Sequence, residues 1–337
     1  MFLARHPEPS RDRLRQAADG KEGADVGEGL AFDGSRQMNR SEPISAHESP
    51  LPAPAFHDPR HHIKIFHGDC LQILAAIPAS SIDLIFADPP YFLSNGGITC
   101  HAGRMVSVNK GDWDRSRGAD ANHEFNRAWL AACQRVLKPD ASIWISGTSH
   151  VIHSVGFALQ QLGFKLLNDI SWVKPNPPPN LSCRYFTHAT ETIIWAARDK
   201  KSRHKFNYKL MRQIAGGKQM KSVWTIPPPE PWEKKFGKHP AQKPLALIER
   251  ILLASSSEGD LVLDPFLGSG TSALAALRAR RRFVGIELDP KWIQTTTQRI
   301  HALGESRATS HGTGQHASTH ESDESPKSKA ASAGQLP

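Results

Sequence analysis

Between about residue 61 and residue 303 the chain alternates short apolar runs with stretches in which apolar residues recur at helical spacing. The runs at 63–66, 82–86, 141–146, 166–172, 191–196, 261–263 and 283–286 are rich in Val, Ile, Leu, Phe and Trp and are bounded by turn residues, which predicts strands. Helical spacing over 125–136, 151–162, 244–254, 272–279 and 290–303 predicts helices, the first stopped by Lys138 and Pro139. Strand and helix in alternation predict an α/β fold, a mostly parallel twisted sheet with helices on both faces. No internal repeat interrupts it.

The flanks read differently. Residues 1–60 mix Arg, Asp, Glu, Gly and Pro with few large apolar side chains and predict a flexible extension, and residues 304–337 predict a disordered tail. A chain of 337 residues leaves room for one large α/β domain, placed at 61–303, and not comfortably for two enzyme domains. The alternation breaks at about 199–236, a Lys- and Pro-rich stretch long enough to predict a functional insert or loop. Charge sharpens that reading. From Arg198 to Lys243 thirteen basic residues face Asp199, Glu230 and Glu233, a local net of +10 that accounts for the whole +9 of the chain. Such a stretch suits a polyanionic partner. Cys70, Cys100, Cys133 and Cys183 form no Cys-x-x-Cys pair, which predicts no metal and suits a reducing cytoplasm. With no apolar run near the ~18 residues of a membrane span, no membrane role is expected.

Three constellations suggest chemistry. Asp88, Pro89, Pro90 and Tyr91 directly follow the apolar run at 82–86, at a strand end where open α/β sheets bind ligands. The lone pair of a base's exocyclic amine is delocalised into the ring, so the amine is a poor nucleophile. The Asp88 carboxylate and the Pro89 carbonyl would accept hydrogen bonds from its two N–H groups, with the prolines stiffening the turn. Tyr91, with Phe92, offers a face on which an extruded base stacks. An ordinary rigid turn is the alternative. In the second constellation, Asp264, Pro265 and Phe266 lead through Leu267 into Gly268, Ser269, Gly270 and Thr271, a glycine-rich strand-to-helix turn. No lysine follows to grip a phosphate, so a nucleoside ligand fits better. About twenty residues on, Glu287 ends another strand, where an acid binds ribose hydroxyls; a surface carboxylate is the alternative. Third, Asp69 follows the strand at 63–66, facing the same nucleoside or capping a helix at 71–76.

Weaker features remain open. Ser94 to Gly97, through Arg104, Lys110 and Trp113, reads as a loop closing over DNA or as plain surface. The Pro-rich stretch from Trp172 to Asn180 leads to Arg184, expected at a phosphate. His188 and Glu191 invite an acid/base role, a structural hydrogen bond being the favoured reading. Trp144 and Trp195 are expected in the core, whereas Trp224 and Trp232 either stack on bases or pack the insert.

Taken in order, Asp69, Asp88 to Tyr91, the basic segment, His239 to Pro244, Asp264 to Thr271 and Glu287 resemble the DNA amino-methyltransferases of restriction-modification systems. The match is to the circularly permuted beta group, in which the catalytic motif precedes the glycine motif, and it covers about residues 63–300. The resemblance implies a Rossmann-like, S-adenosylmethionine-dependent enzyme acting on double-stranded DNA. It places Asp88, Pro89, Pro90 and Tyr91 on the flipped base, and Phe266, Gly268, Ser269, Gly270 and Thr271 around the cofactor. Glu287 would bind the ribose, Asp69 would lie near the adenine, and His239 and Lys243 would begin a helix over the cofactor. Residues 199–236 become the target-recognition insert, with Lys205, Lys209, Arg212, Lys218 and Lys221 as DNA contacts beside Arg184. The implied mechanism is direct in-line displacement without a covalent enzyme intermediate. Aspartate at the first motif position, where cytosine-N4 enzymes usually carry serine, favours adenine N6. Cytosine N4, an RNA or protein-glutamine acceptor, and a non-catalytic DNA-binding module stand as alternatives. A homodimer and a cognate restriction endonuclease stay open as partners.

Overall fold

A computed structural model describes residues 50–94, 98–101, 104–107, 111 and 114–312. Most of the expected extension and tail, together with residues 95–97, Lys110 and Trp113, lie outside them. The chain runs β1 (Phe56–Asp58), β2 (Ile63–His67), α1 (Cys70–Ala76), β3 (Ile82–Ala87), β4 (Ile98–His101) and β5 (Arg104–Ser107). There follow α2 (Ala119–Val136), β6 (Leu137–Gly147), α3 (Ile152–Gln161), β7 (Lys165–Val173), β8 (Thr190–Ala197), α4 (Tyr208–Ile214) and β9 (Val223–Thr225). The last elements are α5 (Leu245–Ser255), β10 (Leu261–Asp264), α6 (Thr271–Arg278), β11 (Arg282–Glu287) and α7 (Pro290–Gly312).

Nine strands make one sheet in the order β1-β2-β11-β10-β3-β6-β8-β7-β9, and β4 and β5 pair separately. All seven expected strands are in the large sheet. Five pairings are parallel; β1 with β2, β6 with β8, and β8 with β7 are antiparallel. The reversal at β8 has a local cause, since residues 174–189 contain no helix to return the chain and so close a hairpin. Alternation along β3 sends Leu84 and Phe86 to one face and Ile85 and Ala87 to the other. On the first face they meet Ile248, Ala275 and Ile293 of α5, α6 and α7; on the second, Leu74, Trp129 and Val155 of α1, α2 and α3. Trp144 and Trp195 stack at 4.7 Å in the first of these cores, as expected.

Several boundaries differ from the sequence reading. β1 lies within the expected extension, added as a three-residue antiparallel edge; α2 begins at Ala119, before the expected start at 125; β6 begins at Leu137 and runs through Lys138 and Pro139 where the expected strand starts at 141; and α7 continues to Gly312, past the expected end at 303. Because β2, β3, β10 and β11 are mutually parallel through their pairings, Asp69, Asp88, Asp264 and Glu287 all arrive at the same carboxyl edge. No helix among the described residues is long and apolar enough to cross a membrane.

Candidate active site

Asp88 leaves the end of β3 with both carboxylate oxygens hydrogen-bonded. One oxygen accepts from Tyr91 Oη at 2.7 Å and Ser146 Oγ at 2.6 Å, and the other accepts from Lys243 Nζ at 2.5 Å. Lys243 stands just before α5 and is only 6% exposed; it also lies 3.6 Å from Glu191 of β8 and 3.1 Å from Tyr91 Oη. A second cation, Lys174, holds the other Glu191 oxygen at 2.5 Å. Two carboxylates and two ammonium groups thus form one neutral, largely buried cluster, with the Tyr91 hydroxyl between Asp88 and Glu191. Burial alone would raise the Glu191 carboxyl, yet Lys243 and Lys174 hold it below its ordinary value. Burial opposes the Lys243 charge, yet Asp88 and Glu191 hold its pKa above the ordinary one. Tyr91 is pushed well up by burial and by both carboxylates, so it remains a neutral hydroxyl. Removing either partner of such a pair costs on the order of 3–5 kcal/mol.

The backbone after Asp88 is fixed by a residue that sequence reasoning missed. Asp114 is fully buried, and its carboxylate accepts from the amides of Tyr91, Phe92 and Leu93 at 2.9, 2.8 and 3.2 Å and from Ser94 Oγ at 2.9 Å. Three successive N–H groups gathered on one carboxylate hold a turn in which Phe92 adopts φ 58°. Twenty-odd residues separate Asp114 from that turn, and no local pattern marks it.

On the other side of the edge lies the glycine turn. Gly268 (φ 54°) and Gly270 (φ 78°) take left-handed conformations that favour glycine, and a Cβ on Gly268 would stand 3.2 Å from the His239 ring. His239 in turn packs against Trp292 at 4.5 Å. Glu287 accepts from the Gly268 amide at 2.7 Å and the Asp289 amide at 2.8 Å, and burial raises its pKa. Asp264 accepts from Ser272 Oγ at 2.5 Å and the Phe266 amide at 2.9 Å, and burial pushes its pKa up to about 7. Asp69 caps α1 through the Leu71 and Gln72 amides while still lining the same space, so both of its expected roles are compatible. Phe266 lies edge-on to Trp129 at 5.3 Å.

A cavity of about 210 Å³ joins the two halves: Asp88, Pro89, Pro90, Tyr91 and Lys243 line it together with Asp69, His239, Phe266, Gly268, Ser269, Thr271 and Glu287. Of the residues expected around catalysis and cofactor, only Gly270 is outside its lining. It sits behind the turn, where a Cβ would fall inside the side chain of Thr296. Lys243 is expected over the cofactor; its ammonium instead points at Asp88.

The expected DNA contacts are not brought together. Lys205 pairs with Asp260 at 2.7 Å, and the adjacent Asn207 amide donates to Ala254 at the end of α5. Lys205, Lys209 and Arg212 therefore lie toward the amino edge of the parallel strands, opposite the cavity. Exposed Lys218 and Lys221 precede edge strand β9. The chain returns to the carboxyl edge only afterwards, where Glu233 accepts from the Leu245 amide at 2.8 Å and exposed Lys235 and Lys238 sit nearby in sequence. Trp224 is buried against Trp144, a packing role, whereas Trp232 is 57% exposed. His188 meets the Tyr185 ring, and Arg184 is exposed.

Residues 82–298 match the model of the N6/N4 DNA methylase family. The type II methyltransferase M2.DpnII of Streptococcus pneumoniae is 54% identical over 242 residues, 72% of this chain and 90% of that protein. M2.MboI of Moraxella bovis is 46% identical over 250 residues, 74% of this chain and 92% of that protein. Among solved structures, the M1.HpyAVI–SAM complex superposes with a TM-score of 0.53 at 28% identity, over 71% of this chain and 98% of that one. The cytosine-N4-specific PvuII DNA methyltransferase shares the fold, with a TM-score of 0.58 at 20% identity over 74% of this chain and 89% of that one. The chain belongs to the N6/N4 family of DNA methylases, and it is a DNA methyltransferase.

Proposed function

We propose that this protein methylates adenine N6 within a specific site in double-stranded DNA, with Asp88 and Pro89 as the acceptors for the target amine. The observation that carries this reading is the single cavity in which the Asp88 cluster faces the glycine turn. S-adenosylmethionine is the cofactor and supplies an electrophilic methyl on a sulfonium. The residues present suit it. Asp69, Glu287 and Asp289 give the cavity an acidic side for a cation and for ribose hydroxyls, and Phe266 and Trp292 give apolar walls for a base. The left-handed glycine turn leaves room for close approach, and Ser269 and Thr271 flank it. His239 closes over Gly268.

On the substrate side, the Asp88 carboxylate accepts from one N–H of the amine and the Pro89 carbonyl from the other. Both interactions draw the amine lone pair out of conjugation. Ser146, Tyr91 and Lys243 fix the carboxylate before the base arrives, so little reorganisation accompanies reaction. A base at one end of the cavity and a methyl donor at the other would suit direct displacement, in which the amine gains the methyl and gives up one proton while the donor leaves as the neutral thioether. Aspartate rather than serine at position 88 supports adenine over cytosine N4. The type II methyltransferase names of the relatives support a place in a restriction-modification system; a cognate restriction endonuclease, a cytoplasmic location and a homodimer belong to that reading.

To test this, the protein is incubated with methyl-labelled S-adenosylmethionine and unmethylated bacterial DNA, which is then digested to nucleosides. The label is expected in N6-methyladenine; label in N4-methylcytosine refutes the adenine assignment. Asp88→Ala is expected to abolish transfer, a loss of at least ~10²-fold, while cofactor affinity by equilibrium dialysis stays close to that of the parent. Near-normal turnover in that variant removes Asp88 from the mechanism.

A further inference from the structure

The connection between β7 and β8, residues 174–189, rises from the carboxyl edge beside the Asp88 cluster. Its base is closed by the Lys174 amide, which donates to the Ala189 carbonyl at 2.8 Å, and the Lys174 ammonium holds Glu191. Glu191 accepts from Tyr91 Oη at 3.3 Å, which ties the base of the loop to the cluster around Asp88. Within it, Pro175, Pro177, Pro178 and Pro179 fix φ at four positions. Asn180 then staples the tip: its Oδ1 accepts from the Ser182 amide at 3.1 Å and from Ser182 Oγ at 2.7 Å, and its Nδ2 donates to the Tyr185 carbonyl at 2.6 Å.

That stiff frame presents rings to water. Phe186 is 96% exposed, more than any other large apolar side chain among the described residues, and Tyr185 beside it is 59% exposed. The loop contains Lys174 and Arg184 but no Asp or Glu. An unpacked ring on a rigid, acid-free, cationic loop next to a pocket that receives an extruded base suits a partner with phosphates outside and stacked apolar rings inside. A second copy of this chain would call for a broad apolar face, and two neighbouring rings on one loop do not make one.

We propose that Phe186 is a wedge that enters the DNA base stack and fills the gap left by the extruded target, with Arg184 at the adjoining phosphate. Filling the gap restores stacking to the neighbours of the missing base and keeps it from returning. The inference rests on the reading of Asp88 as the acceptor for that base.

The test uses the full chain, parent, Phe186→Ala and Phe186→Trp, on a duplex oligonucleotide carrying the methylated site, mapped beforehand on labelled fragments of the same DNA left undigested. A second duplex places an abasic position opposite the target, so that the target has no pairing partner to return to. Phe186→Ala is expected to lower kcat/KM on the intact duplex by about tenfold or more, and to stay within about twofold of the parent on the abasic duplex. Phe186→Trp is expected to retain the intact-duplex rate. With 2-aminopurine at the target position, the fluorescence rise on binding is expected for the parent and for Phe186→Trp, and to be lost in Phe186→Ala. An equal loss on both duplexes, no loss on either, or a loss that tracks dissociation of a dimer in sedimentation overturns the wedge. If Asp88→Ala still methylates the intact duplex at a near-normal rate, the assignment of Asp88 itself fails and the wedge falls with it.

Discussion

At Asp264 burial outweighs every hydrogen bond. Its carboxyl is fully enclosed, and although Ser272 and the Phe266 amide favour the ionised form, the folded-state pKa stands at about 7 against 3.8 for a free side chain. Folding therefore takes up a proton between those two pH values, and stability from this residue is lost as pH rises from about 4 to 7, on the order of 4 kcal/mol. Asp264→Asn removes the titration while keeping a donor and an acceptor in place. In chemical denaturation without cofactor, the variant is expected to gain on the parent by a few kcal/mol between pH 5 and pH 8; parallel pH curves for the two proteins would contradict that origin. What sequence can reveal at this scale depends on distance along the chain. Asp88 and Glu287 are legible because each ends an apolar run, and Tyr91 because it closes the motif that Asp88 opens. Ser146, Glu191 and Lys243 meet Asp88 and Tyr91 across 58 to 155 residues, and no local pattern encodes that contact.

Helix α7 acts on the glycine turn as a clamp. Thr296 Oγ1 donates to the Gly268 carbonyl at 3.3 Å, and Arg299 Nη1 donates to the Ser269 carbonyl at 2.5 Å and lies 3.2 Å from Thr271 Oγ1. Burial lowers Arg299 to about 10, still charged at neutral pH. Gly270 is where helix and turn touch, so Gly270→Ala combines a left-handed backbone with a Cβ lodged in Thr296. The variant is expected to lose about 2–4 kcal/mol of stability and to bind S-adenosylmethionine more weakly, with Thr296→Ala restoring part of both. Differential scanning calorimetry and equilibrium dialysis read the two effects, and an unchanged Tm would show that the contact yields freely. Elements were legible where one period persisted, as in the seven strands and five helices between 63 and 303. β1 and β9 have three residues each, too few to establish alternation, and α4 is a two-turn helix in a Lys-rich stretch. The reversal of β8 was missed because a period of two has no direction; the lack of any helical stretch between β7 and β8 was the available sign.

Across the whole molecule, the excess of positive charge and the catalytic edge only partly coincide. The +10 of residues 198–243 invites the view that the entire segment faces DNA, yet the chain in this region crosses from one edge of the sheet to the other. Lys209 and Arg212 belong to α4, which packs on α5 toward the amino edge, whereas Lys235 and Lys238 lie between β9 and α5 at the carboxyl edge with the cavity. Net charge does not distinguish these positions, but counterion release does, because only cations that replace ions on the phosphates change the salt dependence of binding. Each phosphate contact contributes about 0.9 to the slope of log K against log salt. Replacing Lys235 and Lys238 together by Gln is expected to flatten that slope by nearly ~2, measured by fluorescence anisotropy on a duplex between 50 and 200 mM salt. The same two-charge change at Lys209 and Arg212 is expected to leave the slope unaltered, since those side chains would remain in solvent on the far side of the sheet. Both pairs lower the net charge equally, so equal slopes for the two variants would mean that the duplex is held by the overall field and not by the carboxyl edge.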